Sequence, residues 1–283
     1  MSKQLVNSFW YGNSLTPYEV LCIKSFLDHG HSFRLYSYDH LDVPDGVELC
    51  DASDILPRNQ LFFYRSGPGA GSVGAFANKF RYALLEKMGG WWVDMDIICL
   101  TDDLPDCDMF FSYEEGTRIN NGMVRFPPSS PVMQDCLREA EERGRDLIWA
   151  ETGPRLLTNV LERYELSELA QEVSSCYAIE WHHYLYFWDP NMRGHVEDAV
   201  SSSIVVHLWN EMVRRIGLNK QKPPPAGSYL DFLCKKHEIE FSQPPMRAVE
   251  IHLLQTFIRL RGAWLRRISG KQRWLEFGVF SKT

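Results

Sequence analysis

The chain has 283 residues, 45% of them hydrophobic and 24% charged, a composition ordinary for a globular protein. Its formal net charge of −7 argues against nucleic acid as the main partner, because phosphate backbones require a basic surface. Seven scattered cysteines without a C-x-x-C pair indicate neither a zinc ribbon nor a disulfide framework, and they favour a reducing compartment. With no signal peptide and no long apolar stretch evident, we expect a cytoplasmic protein.

The first forty residues predict a β-α-β unit. Residues 4–10 form a first strand and residues 33–38 alternate as a second. Between them, Thr16, Pro17 and Glu19 have the order of an N-cap, a first helical position and the closing residue of a capping box. A unit of this kind is typical of a parallel sheet with helices on its faces, which indicates an α/β fold.

A helix and a buried strand lead to an acidic triplet. Residues 75–88 carry apolar side chains at helical spacing, two glycines at 89–90 end the helix, and residues 91–93 begin a strand. The strand ends at Asp94 and Asp96, where open α/β sheets bind ligands. Mg²⁺ and Mn²⁺ prefer carboxylate oxygens, and a cation there would offset charge on a departing diphosphate. A solvated turn is the alternative for such a triplet.

The rest of the chain contains shorter predicted elements and one stiff break. Asn120 and Asn121 are expected in a turn, and three prolines at 223–225 interrupt the chain. We therefore divide it into a main domain, 1–222, and a C-terminal appendage, 223–283. The remaining predicted elements are strands at 110–111, 123–126 and 203–208 and helices at 131–143 and 153–164.

The C-terminal stretch is basic and amphipathic. From Phe257 onward, seven Lys and Arg residues stand against Glu276 alone, a net charge of +6. A helix here indicates binding to an anionic membrane surface, whereas docking of its apolar face on the domain or on a second subunit is the alternative. One face would carry five apolar side chains and the opposite face three arginines: Leu253, Phe257, Leu260, Trp264, Ile268, and Arg259, Arg266, Arg267.

Three segments occur in a fixed order: Phe-Ala-Asn-Lys-Phe-Arg-Tyr to Gly-Gly-Trp-Trp-Val-Asp-Met-Asp at 76–96, Glu-Thr-Gly-Pro-Arg-Leu-Leu-Thr at 151–158, and Val-His-Leu-Trp-Asn at 206–210. They resemble the sugar-binding Asp-x-Asp region, the Thr-Gly-Pro helix start and the His-x-Trp-Asn close of glycosyltransferase family 32. That family includes α-1,4-galactosyltransferases, yeast-type mannosyltransferases and bacterial capsular polysaccharide enzymes. The resemblance, over roughly residues 4–212, implies a GT-A-like, Rossmann-type mixed sheet flanked by helices.

The resemblance also implies roles for single residues. Asp94 would contact the donor ribose or sugar and reach the metal, Asp96 would ligate the metal directly, and His207 would be a third metal or diphosphate ligand. Arg81 would face the donor sugar or diphosphate, where a guanidinium can bond oxyanions. Asn78 stands where the family usually has Asp, so it keeps an acceptor oxygen but loses the charge. A structural histidine at a strand end is the alternative for His207.

Five further positions match donor contacts of the family. Trp10 and Tyr11 would stack on the nucleotide base, with ordinary packing as the alternative. Asn120, Asn121 and Glu151 would bind sugar hydroxyls. Glu151 would otherwise be the carboxylate beside the anomeric carbon, or an acid favoured by a helix N-terminus.

The sequence thus predicts a metal-dependent transfer of a hexose from a nucleoside diphosphate sugar, with UDP-sugar favoured, to a glycan or lipid-linked glycan hydroxyl. Retention is implied by the family alone, and a double displacement through Glu151 stays open. Mn²⁺ or Mg²⁺ would be the cofactor, and the tail would place the enzyme on the inner face of a membrane for polysaccharide or glycolipid assembly. A nucleotide-sugar hydrolase and an inactive nucleotide-sugar-binding or scaffold protein are the alternatives. His182 and His183, in an aromatic stretch, would belong to an acceptor platform or a packed lid.

Overall fold

The computed structural model describes residues 3–147 and 149–269, with only the helical backbone of 261–269. The strands in this part of the chain are β1 (Leu5–Phe9), β2 (Ser32–Ser37), β3 (Val47–Asp51), β4 (Gly90–Val93), β5 (Ile97–Cys99), β6 (Phe110–Glu115), β7 (Arg118–Phe126) and β8 (Val205–His207). The helices are α1 (Pro17–Asp28), α2 (Gly74–Met88), α3 (Pro131–Glu142), α4 (Pro154–Arg163), α5 (Val173–Cys176), α6 (Arg193–Ala199), α7 (Asn210–Arg215), α8 (Tyr229–Lys236) and α9 (Ala248–Ser269), and a 3₁₀ helix covers Trp181–Trp188.

A mixed six-stranded sheet organises the described residues, in the order β3-β2-β1-β4-β7-β6. The first four strands in this order run parallel, whereas β7 is antiparallel to both β4 and β6. Strands β5 and β8 form a separate antiparallel pair. The predicted α/β class with a mixed sheet and flanking helices is confirmed. Because β1 and β4 are parallel neighbours, the residues that follow them meet at one edge of the sheet.

The β-α-β start forms as its sequence predicts. Helix α1 begins after Thr16 with Pro17 in its first turn, and the Glu19 side chain closes the capping box. The Glu19 carboxylate accepts from the Thr16 backbone N–H at 2.9 Å. It is also fully buried, which is unusual for a capping residue and ties this helix end to the candidate site described below.

The strand before the acidic triplet is buried on both faces. Trp91 belongs to the core on the α1 side of the sheet, and Trp92 to the core formed with α2, α3 and α4. Successive side chains of a strand point to opposite faces, so two large indoles fix β4 from both sides. The two carboxylates that follow therefore start from a rigid position.

The C-terminal part of the described chain packs on the same core as α1. Leu230 and Leu233 of α8 and Ile251 of α9 are buried in it, and the Tyr18 hydroxyl donates to the Lys222 carbonyl at 2.9 Å. The division into 1–222 and 223–283 stays a prediction. No helix among the described residues is long and apolar enough to cross a membrane.

One predicted turn is wrong. Asn120, Asn121 and Gly122 lie inside β7, and the hairpin turn between β6 and β7 is made at Gly116 and Thr117. Gly116 has φ 55°, the left-handed conformation that glycine tolerates. Strand β7 pairs with β4 on one side and β6 on the other, and these ladder hydrogen bonds outweigh the local turn preference of an Asn-Gly pair.

Gly89, just before β4, and Gly90, its first residue, offer a matched test of how closely the chain approaches Pro128. Both have positive φ, 64° and 87°. A Cβ on Gly89 would lie 2.6 Å from Pro128 Cδ, whereas one on Gly90 would meet nothing nearer than Asn7 Nδ2 at 3.8 Å. We expect Gly90→Ala to lower the free energy of unfolding by about 1–2 kcal/mol from backbone strain alone. Gly89→Ala should cost about 2 kcal/mol more, since backbone must move, and urea unfolding measures both. Equal losses would show that the approach to Pro128 constrains nothing.

Candidate active site

The pairing of β5 with β8 brings His207 to the acidic triplet. Strand β4 ends at Val93, Asp94 follows in a tight turn, and Ile97 of β5 stands opposite His207 of β8. The Leu208 N–H donates to the Asp96 carbonyl at 2.9 Å, which extends this pairing by one residue. As a result, His207 Nε2 lies 3.1 Å from Asp96 Oδ2.

Arg81 holds the other carboxylate. This arginine is only 2% exposed, its Nη2 donates to Asp94 Oδ1, and its Nη1 donates to Asn78 Oδ1 at 2.8 Å. Its guanidinium lies 4.9 Å from the Trp92 ring centroid, and Trp92 Nε1 donates to Asp94 Oδ1 at 2.8 Å. Asn121 Nδ2 donates to Asn78 Oδ1 at 3.0 Å, so four predicted donor-binding residues form one network. Burial raises the pKa of Asp94 more than Arg81 lowers it.

Asp96 and His207 form a buried, hydrogen-bonded pair. Burial acts to raise the pKa of Asp96, but His207 and the Asn210 N–H, which donates to Asp96 Oδ2 at 2.7 Å, outweigh it and hold the pKa below its ordinary value. Burial acts to lower the pKa of His207, and Asp96 reverses this, so that the pKa is raised. The imidazole is enclosed by Trp209, at a centroid distance of 4.1 Å, and by Tyr177 at 5.6 Å.

A buried network behind Asp96 escaped the sequence analysis. Lys220 Nζ donates to the Glu19 carboxylate and, at 2.8 Å, to Asn210 Oδ1, and its charge contributes to the lowered pKa of Asp96. Asn210 Nδ2 donates to Glu19 Oε1 at 3.2 Å. Glu19 was recognised only as a helix cap, and no local pattern marks Lys220. The Asn210 backbone and side chain thus connect the acidic triplet to α1.

The two asparagines of β7 are held by the protein. Asn120 and Asn121 are buried, and Asn120 Nδ2 donates to Glu114, a buried carboxylate that the sequence analysis also missed. A Cβ on Gly122 would stand 2.9 Å from Asn120 Oδ1 and 3.3 Å from Asp94 Oδ2. A side chain at 122 would therefore displace the Asn120 amide or the Asp94 carboxylate.

The remaining predicted residues lie around the rim. Trp10 and Tyr11 follow β1 and are half-buried, and Tyr11 contacts Phe63 edge-on at 5.3 Å. Glu151 lies in the turn before α4, near Tyr64, whose pKa is raised to about 12, mainly by burial, with Glu151 as a smaller contribution. The start of α4 does reach the network, because a Cβ on Gly153 would stand 3.0 Å from Asn78 Nδ2.

Asp96 and His207 fit one divalent cation. A carboxylate and an imidazole are ligands that suit Mn²⁺, and the 3.1 Å between Asp96 Oδ2 and His207 Nε2 is a separation that two ligand atoms of one ion can have. Asp94 gives Oδ1 to Arg81 and Trp92, which leaves Oδ2 for a cation or a hydroxyl. Three ligand atoms within 4.8 Å of one another occur elsewhere among the described residues, at 180–183, and not at this site. Asp94 is thus held apart from the pair.

A comparison with known protein families matches the part of the chain that carries His207. The sequence model of the "Alpha 1,4-glycosyltransferase conserved region" matches residues 125–237, which include α4, β8 and His207. The chain is a relative of the α-1,4-glycosyltransferases. The resemblance predicted from the three segments is therefore confirmed. The Asp-x-Asp turn of the chain lies outside the matched region.

Individual relatives agree with this assignment. A human alpha-1,4-N-acetylglucosaminyltransferase is 29% identical over 148 residues, 47% of this chain and 41% of the relative. A human lactosylceramide 4-alpha-galactosyltransferase is 24% identical over 142 residues, 46% of this chain and 40% of the relative. The chain thus spans about two fifths of the length of these curated relatives. The solved structure of PaToxG glycosyltransferase covers 70% of this chain, with a TM-score of 0.43 and 13% identity, over 78% of its own length.

The buried arginine gives a stability test. Arg81→Met leaves the Asp94 carboxylate without its cation, and we expect the free energy of unfolding to fall by about 3 kcal/mol. Arg81→Met with Asp94→Asn should cost less than Arg81→Met alone, because the unpaired charge is gone. Arg58→Met is the matched control, since the pair that Arg58 forms with Asp39 at 2.8 Å is exposed and should contribute under about 1 kcal/mol. Urea unfolding of these three variants and of Asp94→Asn alone measures this, and additive losses from Arg81→Met and Asp94→Asn would contradict the pairing.

Proposed function

We propose that the protein is a metal-dependent, retaining glycosyltransferase that moves a hexose from a nucleoside diphosphate sugar, with UDP-sugar favoured, to a hydroxyl of a glycan or lipid-linked glycan. The observation that carries the proposal is the 3.1 Å contact between His207 Nε2 and Asp96 Oδ2. It joins the segment matched by the family model to an acidic triplet that lies outside the match. The glycosyltransferases among the curated relatives support the reaction class.

For this reaction, this edge of the sheet must bind a diphosphate and a sugar. A bond forms between the acceptor oxygen and the anomeric carbon, the bond from that carbon to the diphosphate breaks, and the hydroxyl proton passes to the departing diphosphate. A cation held by Asp96 and His207 would offset charge on the diphosphate. Asp94, fixed through Oδ1 by Arg81 and Trp92, presents Oδ2 to sugar hydroxyls. Preorganised groups of this kind are the largest contribution to transfer reactions.

Arg81 acts in this proposal by orienting Asp94 and not by binding the donor alone, because it is only 2% exposed and each of its terminal nitrogens donates to a neighbouring side chain. Asn78 supports this arrangement despite replacing the usual Asp. Its Oδ1 still accepts from Arg81 and Asn121, so the network is complete without the extra carboxylate. The substitution places an N–H, where Asp would have an oxygen, 3.0 Å from the Cβ position of Gly153. Asn78 therefore points to altered donor choice more than to an inactive scaffold.

The proposal is tested by donor binding. Thermal shift is measured with UDP-, GDP-, dTDP- and CMP-sugars, with and without Mn²⁺, for the wild type, Asp96→Asn and the control Asp103→Asn. Asp103 is an exposed aspartate a few residues further on. We expect one donor class to stabilise the wild type and Asp103→Asn only with metal, and to leave Asp96→Asn unshifted. Transfer should fall by about 100-fold or more in Asp96→Asn, because a bound cation contributes several kcal/mol to such reactions.

The other outcomes separate the alternatives. Sugar released into water at the same rate with and without acceptor would indicate a nucleotide-sugar hydrolase. Metal-dependent donor binding without turnover on any acceptor would indicate a nucleotide-sugar-binding scaffold. No shift with any donor, or one that persists in Asp96→Asn, would contradict the site itself.

The acceptor side of the proposal rests on α9, and we place its acceptor on an anionic membrane surface. Ile251 and the partly buried Leu254 and Ile258 dock the helix on the core. Leu253, Phe257 and Leu260 are 64%, 59% and 66% exposed, an apolar face left open on a helix whose sequence continues into the basic stretch. The predicted contributions of Trp264, Ile268, Arg266 and Arg267 lie outside the described side chains.

Vesicle binding tests this part. Leu253→Ser with Phe257→Ser should weaken co-sedimentation with phosphatidylserine-containing vesicles by about tenfold or more, since a buried Leu or Phe contributes about 1.5–3 kcal/mol. Leu169→Ser is the control, because Leu169 is an exposed leucine far from α9 in the sequence. This variant should bind like the wild type. Equal binding to neutral phosphatidylcholine would show that charge plays no part. Unchanged binding of the double variant would contradict membrane binding through the exposed apolar face of α9.

A further inference from the structure

A second cluster of metal-ligand side chains lies at the start of the 3₁₀ helix Trp181–Trp188. Glu180, His182 and His183 each offer a ligand atom, and these atoms all lie within 4.8 Å of one another. None of the three belongs to the site built on Asp96. Within the described residues this is the single group of three histidine, cysteine or acidic side chains that meets this distance.

The backbone explains why the three side chains converge. A 3₁₀ helix has three residues per turn, so residues three apart lie directly above one another. Glu180 and His183 have this spacing, and the His183 N–H donates to the Glu180 carbonyl at 2.8 Å. His182 Nε2 lies 2.9 Å and His183 Nδ1 3.9 Å from Glu180 Oε2. Ligand bonds of about 2.0–2.2 Å in a tetrahedral site require ligand atoms between these two separations, so small side-chain rotations suffice.

The segment that carries the cluster is rigid. Tyr184 and Leu185, directly after it, are buried in the main core. On its near side, the Ile179 carbonyl accepts from Trp209 Nε1 at 2.9 Å, and Trp181 Nε1 donates to Glu115 Oε2 at 3.3 Å. Ligands placed on a fixed backbone lose little freedom when a cation binds. The three side chains are themselves partly exposed, so a cation can enter from solvent.

We propose that Glu180, His182 and His183 bind one Zn²⁺-class divalent cation, with a remaining coordination position left to water. Two imidazoles and one carboxylate favour Zn²⁺ over Mg²⁺, which prefers oxygen ligands throughout. The bound cation would fasten the first turn of the 3₁₀ helix beside Ile179, whose carbonyl supports Trp209. Because Trp209 lies against His207, the cation would brace one wall of the candidate active site without entering it.

Metal binding to the full chain tests the proposal without any glycosyl transfer. Protein freed of metal with a chelator is titrated with Zn²⁺ in competition with a chromophoric chelator. Wild type and the control His40→Ala, which removes an exposed histidine elsewhere, should bind one Zn²⁺ with equal affinity. His182→Ala with His183→Ala should weaken binding by about 100-fold or more, since losing even an outer partner of a ligand costs about 10–100-fold.

Further variants keep the outcome decisive. Glu180→Gln keeps the side-chain shape and should still weaken Zn²⁺ binding, which separates ligand loss from misfolding. Asp96→Asn should leave this binding intact, so failure of the proposed transfer activity and failure of this site are distinguishable. Co²⁺ bound in place of Zn²⁺ should show visible d–d absorption without a thiolate charge-transfer band, which excludes the free cysteines. Absence of Zn²⁺ binding in the wild type, or binding unchanged in the double histidine variant, would overturn the proposal.

Discussion

Two carboxylates separated by one residue repel each other, so each needs its own nitrogen partner, and this constraint organises the edge of the sheet. Strand β4 is fixed on both faces by Trp91 and Trp92, so Asp94 and Asp96 must stand where the strand ends. Burial of like charges is unfavourable without pairing. The protein resolves the conflict by giving Arg81 to one carboxylate and His207 to the other.

The two pairs leave the carboxylates in different states. Burial raises the pKa of Asp94. The His207 imidazole and the Asn210 N–H lower the pKa of Asp96. Titratable groups whose pKa values are pushed apart commonly have separate roles. Here Asp96 is the more acidic of the two carboxyls, and Asp94 is held by hydrogen bonds from Arg81 and Trp92. Glu19 and Lys220 extend the Asp96 side into α1, so that helix carries part of the electrostatic load of the site.

Local signals predicted the framework well. The capping box of α1, the Gly-Gly end of α2 and the apolar run of β4 depend on neighbours within a few residues, and all formed as expected. The motif pattern added His207, which no local rule would single out. Asn120 and Asn121 were assigned to a turn because an Asn-Gly pair prefers one locally, and pairing with two neighbouring strands overrode it. Lys220 and Glu114 could not be found, since only the tertiary fold brings them to Asn210 and Asn120.

The pairing of β5 with β8 has a consequence for the order in which the molecule becomes competent. It joins residues that are more than a hundred positions apart. The conformational entropy of closing so long a loop is lost before the contact stabilises the fold. The parallel ladder of β1 and β2, with a short connection, has no such delay. A growing chain therefore has its sheet and its acidic triplet long before it has His207. The site is therefore complete only after the segment between β5 and β8 has folded.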